Sequence, residues 1–151
     1  MTERTQQVFS NFATLRRLGR AHVLGEIKDS GLAVSQLEAL FAVHKLQPVS
    51  FKDLGYHLSQ QPAAITQTID SLVELGLVER EHNQEDRRTW HISLSPSGLA
   101  KLTSLKPVLE KRKKTISDAL SHEEIDQLIH LQEKLIHHMQ TNTPTKEQIY
   151  G

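Results

Sequence analysis

Residues 61–94 read QPAAITQTIDSLVELGLVEREHNQEDRRTWHISL, and this stretch decides the fold. Pro62 suits the first turn of a helix, because the N–H that proline lacks would have no partner there. From Ala63 to Leu75 the apolar residues Ile65, Ile69 and Leu72, with Val73 beside them, recur at helical spacing, and Gly76 is the expected stop. Leu77 and Val78 lead into Glu79-Arg80-Glu81, and a charged bend follows over residues 82–88. The chain then alternates, with Trp90, Ile92 and Leu94 on one face and Thr89, His91 and Ser93 on the other. Period two on both sides of a polar bend predicts a β-hairpin.

Just upstream, Ser50-Phe51-Lys52-Asp53 caps a short helix carrying Leu54 and Leu58, and Ser59-Gln60-Gln61 joins it to Pro62. Two short helices joined by a tight turn make a helix-turn-helix. Followed directly by a hairpin, they predict a winged helix: a mainly α fold with a small β-hairpin wing. Further out, Ser35 with Glu38 reads as a capping box, with Leu37, Leu40, Phe41 and His44 on one face behind it. Val8, Phe12, Leu15, Gly19 and Val23 form one stripe of a long first helix. Ser121 with Glu124 is a second capping box, after which Ile125, Leu128, Gln132, Leu135 and Met139, flanked by Ile129 and Ile136, form a wide apolar stripe. Such a stripe suits packing against another helix, here a second copy of the chain. Pro107 predicts a kink or break near Lys106. The expected organisation is an N-terminal dimerisation helix in residues 1–34, a winged helix-turn-helix lobe in 35–98, C-terminal dimerisation helices in 99–140 and a flexible tail in 141–151.

Composition narrows the function. The 151 residues include no cysteine, which excludes disulfides, thiolate metal sites and a thiol switch. No apolar run reaches the ~18 residues of a membrane span, and the N-terminus lacks the apolar core of a signal peptide, so a cytoplasmic protein with no membrane partner is expected. Net charge is zero, but it is unevenly spread. Residues 97–117 carry six basic side chains against the single acid Glu110, and residues 118–133 carry five acids without Lys or Arg.

The run from Gln61 to Gln67, then Ile69-Asp70-Ser71-Leu72 and Gly76-Leu77-Val78-Glu79-Arg80, resembles the recognition helix and first wing strand of the MarR family of bacterial transcriptional regulators. Asp86-Arg87-Arg88, with Ile92-Ser93-Leu94-Ser95 and Gly98, resembles that family's wing and the start of its next helix. The resemblance extends over roughly residues 5–140. It implies a homodimer joined through its first and last helices, with recognition helices in the major groove and wings in the minor groove. It also implies a repressor of efflux, stress or catabolic genes, released from DNA by a small, often phenolic, effector.

Recognition helices read base edges with side chains near their N-termini. Here these are Gln60, Gln61, Ala63, Ala64, Thr66 and Gln67, with Ser71 one turn further. Glutamine pairs with adenine, and Ala or the Thr methyl packs on the thymine methyl, so A·T-containing sites are favoured. Gln67 departs from the family pattern, where a basic residue is usual. In the wing, Arg88 of the Asp-x-Arg pattern is expected in a narrow minor groove, Asp86 to orient it, and Arg87 to reach phosphate or solvent. Residues 35–96 hold five basic side chains (Lys45, Lys52, Arg80, Arg87, Arg88) against eight acids, which predicts a shallow salt dependence of DNA binding and keeps open a winged-helix dimer that binds a protein partner instead.

Nine histidines raise the question of zinc, but Glu26 and His44, which could approach between the first two helices, lack further ligands, and neither a metal nor a cofactor is expected. No catalytic motif is present, so the protein is expected not to be an enzyme. Arg16, Arg20, His22 and His44 are candidate anchors for an acidic or phenolic effector.

Overall fold

The computed structural model describes residues 2–145 and 147–148. Its elements run α1 (Glu3–Ile27), α2 (Val34–Leu46), β1 (Val49–Ser50), α3 (Phe51–Leu58), α4 (Pro62–Glu74), β2 (Val78–His82), β3 (Trp90–Leu94), α5 (Pro96–Ser104), α6 (Lys106–Ala119) and α7 (His122–Asn142). The fold is mainly helical with a small antiparallel sheet, a winged helix. The chain divides into two compact units, one ending at Val108 and the next beginning at Leu109.

In the first unit α2 is the hub. Its residues Val34, Leu37, Ala39, Leu40, Ala42 and Val43 are buried, so apolar surface runs most of the way round the helix, as a central helix requires. Leu54 of α3, Ile65, Ile69 and Leu72 of α4 and Ile92 of β3 close on it, together with Val23 and Ile27 from the end of α1 and Leu102 and Leu105 around the end of α5. The remainder of α1 is exposed or only half-buried, and Val8, Phe9, Phe12, Leu15 and Leu18 are open to solvent.

Local chemistry explains most of the helix ends. Ser50 Oγ accepts the Asp53 N–H at 3.1 Å, and Pro62 opens α4 at its first turn. Gly76, at φ +69°, takes the left-handed conformation just beyond α4 that a side chain would resist. The box at Ser121 is complete: its Oγ accepts the Glu124 N–H at 3.3 Å and its own N–H reaches the Glu124 carboxylate at 2.8 Å. The box expected at Ser35 is not the one that forms. The cap lies two residues earlier, with Ala33 as the N-cap of α2 and Gln36 Oε1 accepting the Ala33 N–H at 2.7 Å. Glu38 faces α1 instead, where both its carboxylate oxygens accept from Arg20 Nη1 at 2.6 Å. A cross-helix guanidinium is a stronger partner for a carboxylate than a neutral N–H. The helix does break beside Pro107: α5 ends at Ser104, Leu105 intervenes, and α6 starts at Lys106.

The sheet has the order β1-β3-β2. The hairpin pairs Val78 with Leu94 through His82 with Trp90, and β1, which sequence periodicity does not reveal, adds Val49 opposite Ile92. Ile92 is buried, whereas Trp90, on the same face, lies beyond the edge of the core and is 43% exposed.

In the second unit, α7 leaves Leu128, Ile129, Leu131, Leu135, Ile136 and Met139 exposed.

Candidate nucleic-acid interface

Two neighbouring elements of the first unit carry the candidate contacts. α4 buries Ile65, Ile69 and Leu72, which turns its other face outward. Along that face lies an open groove lined by Pro62, Ala63, Thr66, Gln67, Asp70, Ser71 and Glu74. Gln61, Ala63, Ala64, Thr66 and Gln67 are all exposed there. Gln60 differs, being half-buried with its Oε1 buried and without a hydrogen-bond partner. Ser71 is half-buried and already engaged. Its Oγ donates to the Thr68 carbonyl at 2.7 Å and accepts from Gln36 Nε2 at 3.0 Å. Gln36 thereby caps α2 with one end of its amide and ties α2 to α4 with the other.

No Lys or Arg lies on α4, and its charges are the carboxylates of Asp70 and Glu74. Asp70 is ion-paired with Arg80 of β2, whose guanidinium also sits over the Phe51 ring, 5.2 Å from its centroid. Arg80 thus joins α3, α4 and the wing's first strand at one point, and it is a positioning residue that sequence reading alone passed over.

The wing tip is shaped by short side chains. Asn83 Oδ1 accepts the Glu85 N–H at 2.9 Å, and Asp86 Oδ1 accepts the Arg88 N–H at 3.0 Å. These are Asx turns, which bend the backbone without regular secondary structure. The Asp86 carbonyl accepts the Thr89 N–H at 3.0 Å, and the Asn83 N–H closes the loop on the Thr89 carbonyl at 2.9 Å. Behind the tip, His82 Nδ1 lies 3.0 Å from the Arg87 carbonyl, while its ring packs on Trp90 with centroids 3.7 Å apart. Arg87 and Arg88 are exposed on this framed loop. Asp86 therefore acts on the backbone of Arg88. The His82–Trp90 pair lies across the hairpin ladder, and only the register reveals it.

The other candidates are dispersed. Arg20 is held by Glu38, Arg16 lies one turn before it on α1, and His22 is on a different side of that helix. His44 is exposed near the end of α2. Among the described residues no group of three or more His, Asp or Glu side chains could hold a metal ion, and no helix is long and apolar enough to cross a membrane.

A helix-turn-helix with an outward second helix, followed by an arginine-tipped hairpin, defines a winged helix. Residues 32–90 match the model of the MarR family. Solved structures agree in fold. A MarR transcriptional regulator from Methanosarcina mazei Go1 superposes with a TM-score of 0.82 at 16% identity, over 91% of this chain and 99% of that one. MepR of S. aureus, solved as a DNA complex, gives 0.74 at 17% identity over 90% and 97%. BpsR of Bordetella bronchiseptica, whose DNA binding is regulated by 6-hydroxynicotinic acid, gives 0.75 at 23% identity over 85% and 98%. At 16%, 17% and 23% identity these likenesses show a shared fold.

Proposed function

We propose that this protein is a sequence-specific DNA-binding transcriptional regulator, a repressor, which acts as a homodimer on an inverted-repeat operator and is released by a small-molecule effector. The observation that carries the reading is the pairing of an outward α4 with an arginine-tipped wing on one lobe. In the dimer, two copies of α4 enter successive major grooves about 34–36 Å apart, and Arg88 enters the flanking minor groove. Exposed apolar side chains support dimerisation, among them Phe9, Phe12 and Leu15 of α1 and Leu128, Leu135 and Met139 of α7.

The effector is a small acid or phenol, with Arg16, Arg20, His22 and His44 as candidate anchors. An acidic effector would compete with Glu38 for Arg20, and the acid that regulates the Bordetella relative supports that class. Such a ligand shifts the population only by its differential affinity for the two half-site spacings.

The acid-rich lobe and the cation-free α4 favour one competing reading, a winged-helix dimer that binds a protein partner and has little DNA affinity. Selection from a random duplex library, followed by binding measurements with Arg88→Ala, separates the two. A regulator enriches an inverted repeat with half-sites about ten base pairs apart and loses affinity for it in the variant. No enrichment, even at low salt, leaves the protein-binding reading in its place.

A further inference from the structure

We propose that α4 reads thymine through its methyl group, so that the half-sites it recognises are A·T pairs identified by shape and apolar contact rather than by charged hydrogen bonding. The inference rests on the DNA-binding reading above and concerns the chemistry of that same face. The commonest specific contact in a major groove is Arg or Lys on guanine O6 and N7, and α4 has neither residue. Its polar groups are largely committed elsewhere. The Ser71 hydroxyl bridges Thr68 and Gln36, Thr68 Oγ1 donates to the Ala64 carbonyl at 3.0 Å, and Asp70 is paired with Arg80. Of the exposed side chains in the first two turns, Ala63, Thr66 and Gln67 line the groove, presenting a methyl, a hydroxyl-bearing side chain and an amide.

At 100° per residue these three fall within one arc of about 100° on the helix. An amide donor and acceptor matches adenine N7 and N6, and methyl groups beside it match the thymine C5 methyl of the same or the next pair. The contact is apolar, so it excludes water from the groove without needing a counter-charge. That also suits a lobe whose acids outnumber its bases.

Deoxyuridine tests the idea, since it keeps every Watson–Crick and groove hydrogen-bonding group of thymidine and lacks only the methyl. In the duplex recovered by selection, each half-site thymine is replaced in turn, with replacements outside the half-sites as controls. Affinity is expected to fall about fourfold for each contacted methyl, the size of one buried carbon. Thr66→Ser, which keeps the hydroxyl and removes the methyl, is expected to abolish the penalty at one position, and Ala63→Gly at another. Half-sites that tolerate every replacement, or penalties unchanged in both variants, would overturn methyl readout while leaving the regulator reading intact. Failure to recover any duplex would remove both.

Discussion

Gly98 sits where α5 passes the backbone of the turn after α4. A Cβ there would lie 1.9 Å from the Leu77 carbonyl oxygen, a rigid neighbour. Gly98→Ala is therefore expected to destabilise the fold by about 3 kcal/mol, the upper range for overpacking, as read by urea denaturation. Beside it, the buried Ser95 donates from Oγ to the Gly76 carbonyl at 2.6 Å and accepts the Gly98 N–H at 2.9 Å. Ser95→Ala strands both groups and should cost about 1–2 kcal/mol in the same assay. None of this is readable from spacing. Ser95 and Gly98 are visible in the sequence, but the proximity that makes them indispensable arises only when β3 returns the chain beside Leu77. The Ser35–Glu38 pattern has the opposite history: the local signal is real, and a long-range partner, Arg20, takes the carboxylate away. Such failures of local reading occur where a tertiary contact outbids a local one.

At the level of elements, the long helices, the helix-turn-helix and the hairpin were legible because each has a periodic apolar face with chemically marked ends. β1 was not, since two residues are too few to show a period; Val49 joins the sheet only because Ile92 offers an open edge. The outward face of α4 was legible in outline, but which of its side chains are already engaged was not. Ser71 and Gln60 show the difference, one tied to Gln36 and the other turned inward. For the wing, Asp86→Ala removes the acceptor for the Arg88 N–H and should speed amide exchange at the tip while leaving α4 protection unchanged, a contrast that hydrogen exchange resolves residue by residue. For the junction behind it, Gln36→Glu keeps an acceptor for the Ala33 N–H but loses the amide donor to Ser71. It should lower DNA affinity more than it lowers stability to urea, because it loosens the angle of α4 while sparing the α2 cap.

For the whole molecule, electrostatics and assembly carry the predictions. With Lys45, Lys52, Arg80, Arg87 and Arg88 as the only cations of residues 35–96, few phosphates can be neutralised. The slope of log affinity against log salt should therefore be shallow, near −4 or weaker for a dimer using two cations per subunit, which titrating the selected duplex with salt measures directly. Assembly is tested by sedimentation. The wild type is expected to sediment as a dimer, and Leu135→Asp, which places a charge among the exposed apolar residues of α7, to shift it toward monomer and to weaken operator binding with it.

Trp90 is the only tryptophan in the chain, and it stands on the hairpin with one side against His82 and the other open to solvent. The protein thus carries a single-site optical reporter on its wing. Excited selectively, its emission is free of averaging over other indoles, and any rearrangement of the hairpin changes its colour or intensity. Events at the wing can therefore be followed in one cuvette, without labelling and on the timescale of mixing.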